Sequence, residues 1–341
     1  MNNYSSRHKV GVVGFRGYSG AELVRLLTRH PGVEIFLLEH RADAEAETVG
    51  PLGRKPHKTI PATPEAIKLE KLDLVFFATP AEVSMDLARG VLETGAKVID
   101  LSGAFRLRDA ETHSRWYKQR HTAPDLLAEA AYGLPEFHRD KIRGARLVAN
   151  PGCYPTAANL AIRPLIDAQV VDRSRGIICD AKSGVSGAGR KASLKTSFCE
   201  VAGNFSAYGI LDHRHVPEVL QNSGLGEREL TFTAHLLPIE RGILETIYIR
   251  TQGVEKAVDL LAIYEDFYAE EPFIRLYAPG KVPDLRAIEY TNYCDIGFVF
   301  DAESQRAIVV VAEDNLVKGA AGQAVQNMNL LLGYPETEAL L

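Results

Sequence analysis

Seven residues near the amino terminus, Gly14-Phe-Arg-Gly17-Tyr-Ser-Gly20, restrict the fold of this chain more than any other stretch. They follow a short β-rich run, Lys9 to Val13. They precede a segment, Ala21 to His30, in which Leu23, Val24, Leu26 and Leu27 recur at helical spacing. Glycines between a strand and a helix let the backbone turn tightly and approach a pyrophosphate. The helix N-terminus adds unpaired N–H groups and partial positive charge. The spacing is G-x-x-G-x-x-G rather than the commoner G-x-G-x-x-G. A tight strand–helix turn without a ligand uses the same glycines, so the turn alone leaves both readings open.

The pattern continues in kind. Pro31-Gly32 stops the helix, and Val33 to Leu38, Leu74 to Ala78, Lys97 to Leu101 and Leu147 to Ala149 read as further strands. Val83, Leu87, Val91 and Leu92 form a second helical face between two of them. This β-α-β-α alternation implies a doubly wound parallel sheet of Rossmann type. After about Asn150 the pattern changes. Gly176 to Ala181, Leu230 to Leu237, Ile243 to Arg250, Asp295 to Phe300 and Ala307 to Ala312 read as strands with few helices between them, Ala257 to Tyr268 among those few. A second, α+β domain follows. Asn315 to Leu332 reads as one final helix. A chain of 341 residues is longer than one hydrophobic core usually serves.

The net charge of −5 argues against a general binder of nucleic-acid backbones. No apolar run reaches membrane-spanning length, and the first ten residues carry no signal-peptide core. Neither a nucleic acid nor a membrane is expected as a partner. The four cysteines, Cys153, Cys179, Cys199 and Cys294, form no C-x-x-C pair, so no metal and no disulfide framework is expected. A reducing, cytoplasmic setting suits free thiols.

Cys153 stands out among them. Asn150-Pro-Gly-Cys153-Tyr-Pro-Thr156 follows a strand and leads into an Ala/Leu-rich helix running towards Ile166, with Pro155 suited to its first turn. A cysteine at a helix N-terminus sits in partial positive charge that favours the nucleophilic thiolate. The bland alternative, a small buried hydrophobe, suits Cys179 and Cys294 better. A thiol needs a base, and His213-Arg-His215-Val-Pro-Glu218 gathers two imidazoles, a guanidinium and a carboxylate within six residues. If that segment is extended, His213 and His215 point the same way, and Glu218 can orient one of them. His235, alternating with Thr231 and Thr233, is a third candidate base. Arg106, after the strand ending at Leu101, suits a phosphate or carboxylate clamp. The run from Lys182 to Lys191, with Ser183, Arg190 and Lys191, reads equally as a second anion loop or as a flexible surface loop. At the end of the second strand Glu39 suits ribose hydroxyls and NAD, whereas Arg41 suits a 2′-phosphate and NADP.

Taken together, these segments resemble the family of N-acetyl-γ-glutamyl-phosphate reductases almost end to end. The resemblance rests on GFRGYSGAEL, DLSGAFRLRD, AYGLPE, VANPGCYPTA, DAKSGVSGAGRK, HRHVPE and NLVKGAAGQAVQNMN, in order. It implies an NADP(H)-binding Rossmann domain over 1–152. An α+β catalytic and oligomerisation domain of the aspartate-semialdehyde dehydrogenase type would follow over 153–314, and the final segment, 315–341, would return to the first domain. It further implies a small-molecule acyl phosphate as substrate, a thioester on Cys153, and a base and phosphate contacts from the His213–Glu218 segment. The cofactor would lie on Gly14, Arg16, Gly17, Tyr18, Ser19, Gly20 and Arg41, with Asn315 and Lys318 nearby. The assembly expected is a homodimer or homotetramer. Two departures stand out. Glu39 and His40 precede Arg41 where the family often has small hydroxyl residues, and Thr79-Pro-Ala-Glu82 replaces the usual L-P-H-G. Three rivals remain: the same chemistry on a carrier-linked aminoadipyl or glutamyl phosphate, a thiol hydrolase, and a non-catalytic NADP-sensing regulator.

Overall fold

In the computed structural model, which describes Tyr4, residues 6–40 and residues 57–341, the chain divides into two units. One comprises Met1–Pro151 with Ala320–Leu341, the other Gly152–Gly319. No helix among the described residues is long and apolar enough to cross a membrane.

The first unit is built on strands β1 (His8–Val13), β2 (Val33–Glu39), β3 (Lys58–Pro61), β4 (Leu74–Phe77), β5 (Lys97–Asp100), β6 (Ala131–Tyr132) and β7 (Leu147–Ala149). They lie in the order β3-β2-β1-β4-β5-β7-β6, and every pairing is parallel. Parallel strands need crossovers, and helices such as Tyr18–Leu27 and Ala81–Glu93 supply them. Leu23, Leu26 and Leu27 of the first helix are buried, as are Val91 and Leu92 of the second. The strands read as continuous apolar runs, the pattern of a sheet covered on both faces: Leu74, Val75, Phe76 and Phe77 are all buried. The last helix, Gly322–Leu332, belongs to this unit. Asn327 Nδ2 donates to Gly133 O at 2.8 Å and Asn150 Oδ1 at 3.0 Å, and Leu331 O accepts from Lys97 Nζ at 3.0 Å. The single helix expected from Asn315 onward instead opens with a π-helical turn, Val317–Ala321, and becomes α-helical only at Gly322.

The second unit holds β8 (Ile177–Gly184), β9 (Ser206–Tyr208), β10 (Leu230–Leu237), β11 (Ile243–Arg250), β12 (Ile274–Leu276), β13 (Cys294–Asp301) and β14 (Arg306–Glu313), in the order β12-β13-β14-β11-β8-β10-β9. The pairs β8–β10 and β12–β13 are parallel and the others antiparallel. One face of this sheet packs on the helix Cys153–Asp167, whose residues Tyr154 to Ile162 are all buried. On the other face the register aligns Ile178, Tyr248, Ile308 and Val299 in one row across four strands. Ile178 is 50% exposed, Tyr248 42% and Val299 50%. β8 outruns the strand expected at Gly176 to Ala181. It is laddered on both sides, Lys182 opposite His235 and Leu244, and Ser183 opposite Leu236 and Ile243. Lys182 and Ser183 are therefore strand residues, and the loop begins only beyond Gly184.

Candidate active site

Cys153 is the first residue of the fifteen-residue helix Cys153–Asp167, with Gly152 as its extended N-cap. Pro155 falls in the first turn, where a missing N–H costs nothing. The thiol therefore sits where the helix presents unpaired N–H groups and partial positive charge. It lines a cavity of about 340 Å³ together with Tyr154, Ser183, Tyr208, His213 and His215.

The two histidines reach this cavity on a turn, not on the extended segment that their alternate spacing suggests. His215 has helical dihedrals (φ −85°, ψ −11°) and caps the helix Val216–Ser223, so the chain turns through His213 and His215. The rings still converge, with centroids 4.9 Å apart. His213 Nδ1 accepts a hydrogen bond from the His215 N–H at 3.2 Å, which requires a lone pair on that nitrogen. Burial, reinforced by the Arg214 charge, pulls the His213 imidazole down to about 4, so it is neutral near pH 7. His215 faces the cysteine turn: a Cβ built on Gly152 would stand 2.7 Å from His215 Nε2. Glu218 is fully buried, and its Oε2 accepts from the Gly152 N–H at 3.0 Å, which fixes the residue that carries Cys153. The expectation for Glu218 was a partner for a histidine; the structure gives its carboxylate a hold on the backbone.

Several contributors carried no recognisable signal. Tyr154 Oη donates to His235 O and meets Tyr208 Oη, both at 3.1 Å. Burial raises both phenols, Tyr208 to about 12, so both are neutral hydroxyls. A Cβ on Gly319 would stand 2.8 Å from Cys153 Cβ and 2.9 Å from Oε1 of the buried Glu313. Gly152 lies within VANPGCYPTA and Gly319 within NLVKGAAGQAVQNMN, yet nothing in those motifs says which neighbour each glycine admits. Tyr208 lies on a three-residue strand with no periodicity to read.

At the glycine turn, Gly14 has φ +77°, and a Cβ there would stand 2.3 Å from Ala78 O. A Cβ on Gly20 would stand 2.2 Å from Gly14 O, whereas the nearest atom to one on Gly17 is 3.5 Å away. Gly17 is the N-cap of the helix Tyr18–Leu27, with no side-chain cap, so Tyr18, Ser19 and Gly20 form the first helical turn. A turn that Gly14 and Gly20 close this tightly, with the Gly17 position open at a helix N-terminus, fits a dinucleotide pyrophosphate. Arg16 Nη2 meets Glu39 Oε1 at 2.8 Å. Arg41 lies outside the described residues.

The other expected site residues differ in their surroundings. Arg106 is buried, with Nε on Asn150 O at 2.8 Å and Nη2 on Leu101 O at 2.7 Å, and it braces the backbone ahead of the cysteine turn. Ser183 lines the cavity, and Arg190 and Lys191 are exposed. Asn315 accepts from Gly242 N at 2.7 Å and donates to Ser186 Oγ at 2.9 Å, so it braces the loop after β8. Lys318 is fully buried, its Nζ 5.6 Å from the Phe273 ring centroid. His235 Nδ1 lies 3.1 Å from Asp180 Oδ1.

Two family models match: "Semialdehyde dehydrogenase, NAD binding domain" over residues 9–145 and "Semialdehyde dehydrogenase, dimerisation domain" over residues 153–315. The fold agrees. Aspartate semialdehyde dehydrogenase II from Vibrio cholerae superposes with a TM-score of 0.72 at 20% identity, over 96% of this chain and 99% of that one. An aspartate semialdehyde dehydrogenase with NADP from Candida albicans gives 0.70 at 16% identity, over 96% and 99%. The class is thus that of the semialdehyde dehydrogenases. Within it, the N-acetyl-gamma-glutamyl-phosphate reductases of Symbiobacterium thermophilum and Desulforudis audaxviator are each 48% identical to this chain, over 98% of it and 97% and 98% of theirs. The reductase of Nitrosospira multiformis is 44% identical over 97% of both chains. The chain belongs to the N-acetyl-gamma-glutamyl-phosphate reductase family.

Proposed function

We propose that this chain reduces N-acetyl-L-glutamyl 5-phosphate to N-acetyl-L-glutamate 5-semialdehyde and phosphate, with NADPH as reductant, as a step of arginine biosynthesis. The observation that carries the chemistry is Cys153 at a helix start, in one cavity with His213 and His215, with His215 Nε2 against the adjoining Gly152. In this reading His215 takes the thiol proton and the Cys153 thiolate attacks the acyl carbon. Backbone N–H groups at the helix start hold the developing oxyanion. The carbon–oxygen bond to phosphate breaks, phosphate leaves, and a thioester remains on Cys153. The backbone of the Gly14–Gly20 turn would hold NADPH, and that cofactor would supply the hydride needed to reduce the thioester on Cys153. His215 returns its proton to the resulting thiohemiacetal oxygen, and loss of the thiolate with that proton frees the aldehyde. His213, neutral and with its Nδ1 occupied, acts as an uncharged donor to the leaving phosphate. Ser183, which lines the cavity, and the exposed Arg190 and Lys191 are assigned to anion binding, and Arg41 and Lys318 to the cofactor side, while Arg106 and Asn315 brace the backbone around these sites.

We assign nucleotide binding to residues 1–152, catalysis to 153–314, and the return to the first domain to 315–341. The protein is taken to act in the cytoplasm, where its thiols stay reduced. It is taken to be a homodimer or homotetramer. The row Ile178–Tyr248–Ile308–Val299 supports this, because an apolar band across four strands is the kind of surface that a second copy covers. Steady-state turnover of N-acetylglutamate semialdehyde tests the whole reading: phosphate-dependent reduction of NADP is expected, and its absence contradicts the proposal.

A further inference from the structure

In folds of this kind the adenosine ribose is received at the end of the second strand, and a carboxylate there takes the ribose hydroxyls. Glu39, the last residue of β2, stands at that place. Its carboxylate is already engaged by Arg16, which reaches from the glycine turn to place Nη2 2.8 Å from Glu39 Oε1. The two partners are held unequally. The Arg16 guanidinium lies 4.6 Å from the Phe15 ring centroid, a cation–π contact, and its side chain is 17% exposed. The Glu39 side chain is 50% exposed. The cation is the anchored member and the carboxylate the movable one. Half-exposed pairs of this kind contribute little on their own, so a better anion can displace the carboxylate.

We infer that Arg16 is the receptor for the 2′-phosphate of NADP(H) and that Glu39 is its internal competitor. Glu39 neutralises the guanidinium when no nucleotide is bound and opposes the 2′-phosphate when one is. The inference rests on the proposed dinucleotide reading of the glycine turn and adds to it the residue that chooses between the two nucleotides. It also resolves the conflict noted in the sequence between Glu39 and Arg41, because the acidic residue is answered from the glycine turn itself.

The test is equilibrium binding, followed by calorimetry or nucleotide fluorescence, of NADPH, NADH, 2′,5′-ADP and 5′-ADP to the full chain and its variants. Arg16→Gln should weaken NADPH and 2′,5′-ADP by about ten- to a hundredfold, the range of a charge-assisted hydrogen bond, while NADH and 5′-ADP move little. Glu39→Gln should do the opposite, tightening NADPH severalfold and weakening NADH. Opposed shifts are a signature that misfolding of one variant cannot produce. If Arg16→Gln leaves the NADPH to NADH ratio unchanged, or if the loss falls on Arg41→Gln instead, the inference is wrong while the cofactor reading stands. If the unmodified protein binds neither nucleotide, the cofactor reading falls and takes this inference with it.

Discussion

Gly152 has no room for a side chain. A Cβ there would press on His215 Nε2 at 2.7 Å, and its N–H is already held by Glu218. Gly152→Ala should therefore move the imidazole relative to Cys153. A displacement on the order of 1 Å costs roughly 10²-fold in rate, so kcat should fall by that order while the melting temperature changes little. His215→Asn should remove about 10²–10⁴-fold of kcat if His215 is the general base. His213→Asn should cost less, because His213 stays neutral down to about pH 4 and its Nδ1 is occupied by the His215 N–H. A larger loss in His213→Asn would exchange the two roles. At this scale the sequence was partly legible. The NPGCYPT turn marks the cysteine, and the close spacing of His213, His215 and Glu218 marks a cluster. The tie from Glu218 to Gly152 spans 66 positions along the chain, and no local pattern encodes it.

Strands and helices were legible wherever side chains alternate or recur; their ends were legible only in some. β10 and β11 run as their patterns indicate, Leu230–Leu237 and Ile243–Arg250. β8 continues past Ala181 because neighbours on both sides extend its ladder, which is tertiary information. The turn through His213 and His215 mimics a strand in spacing but is fixed by the helix that follows it. β11 also carries an unusual group. Glu245 is fully buried, its Oε1 has no hydrogen-bond partner, and its Oε2 receives only the Cys179 thiol, at 3.4 Å. Burial pushes its carboxyl from an ordinary 4.5 up to about 8. The native state thus keeps a proton that the unfolded chain releases above 4.5. Stability attributable to Glu245 is complete below that pH, falls as pH rises from about 4.5 to about 8, and is level above. Glu245→Gln lacks this slope. Its stability relative to the unmodified protein should rise across that window by on the order of a few kcal/mol. Urea unfolding of both proteins at pH 5 and pH 8 measures it, and a difference independent of pH would show that Glu245 is ionised when folded.

For the molecule as a whole, the β-α-β-α alternation announced a parallel sheet, since strands covered by helices on both faces must be apolar throughout. Neither the strand order β3-β2-β1-β4-β5-β7-β6 nor the mixed second sheet follows from periodicity. Both depend on crossovers whose partners lie far apart in sequence, and the motif resemblance supplied what pattern alone could not. The exposed row on the second sheet bears on assembly. Tyr248→Asp would place a charge in its middle, and sedimentation should show a smaller species than the unmodified protein forms. An unchanged sedimentation coefficient would move the interface elsewhere.

The thioester on Cys153 is the claim on which the functional account depends. It can be trapped by mixing the protein with N-acetylglutamate semialdehyde and NADP in the absence of phosphate, then following NADPH absorbance and the mass of the Cys153 peptide. One equivalent of NADPH per active site is expected, with an N-acetylglutamyl group on Cys153 that added phosphate removes. An adduct on another residue, or phosphate-dependent turnover that persists at near-normal rate in Cys153→Ser, would contradict the account.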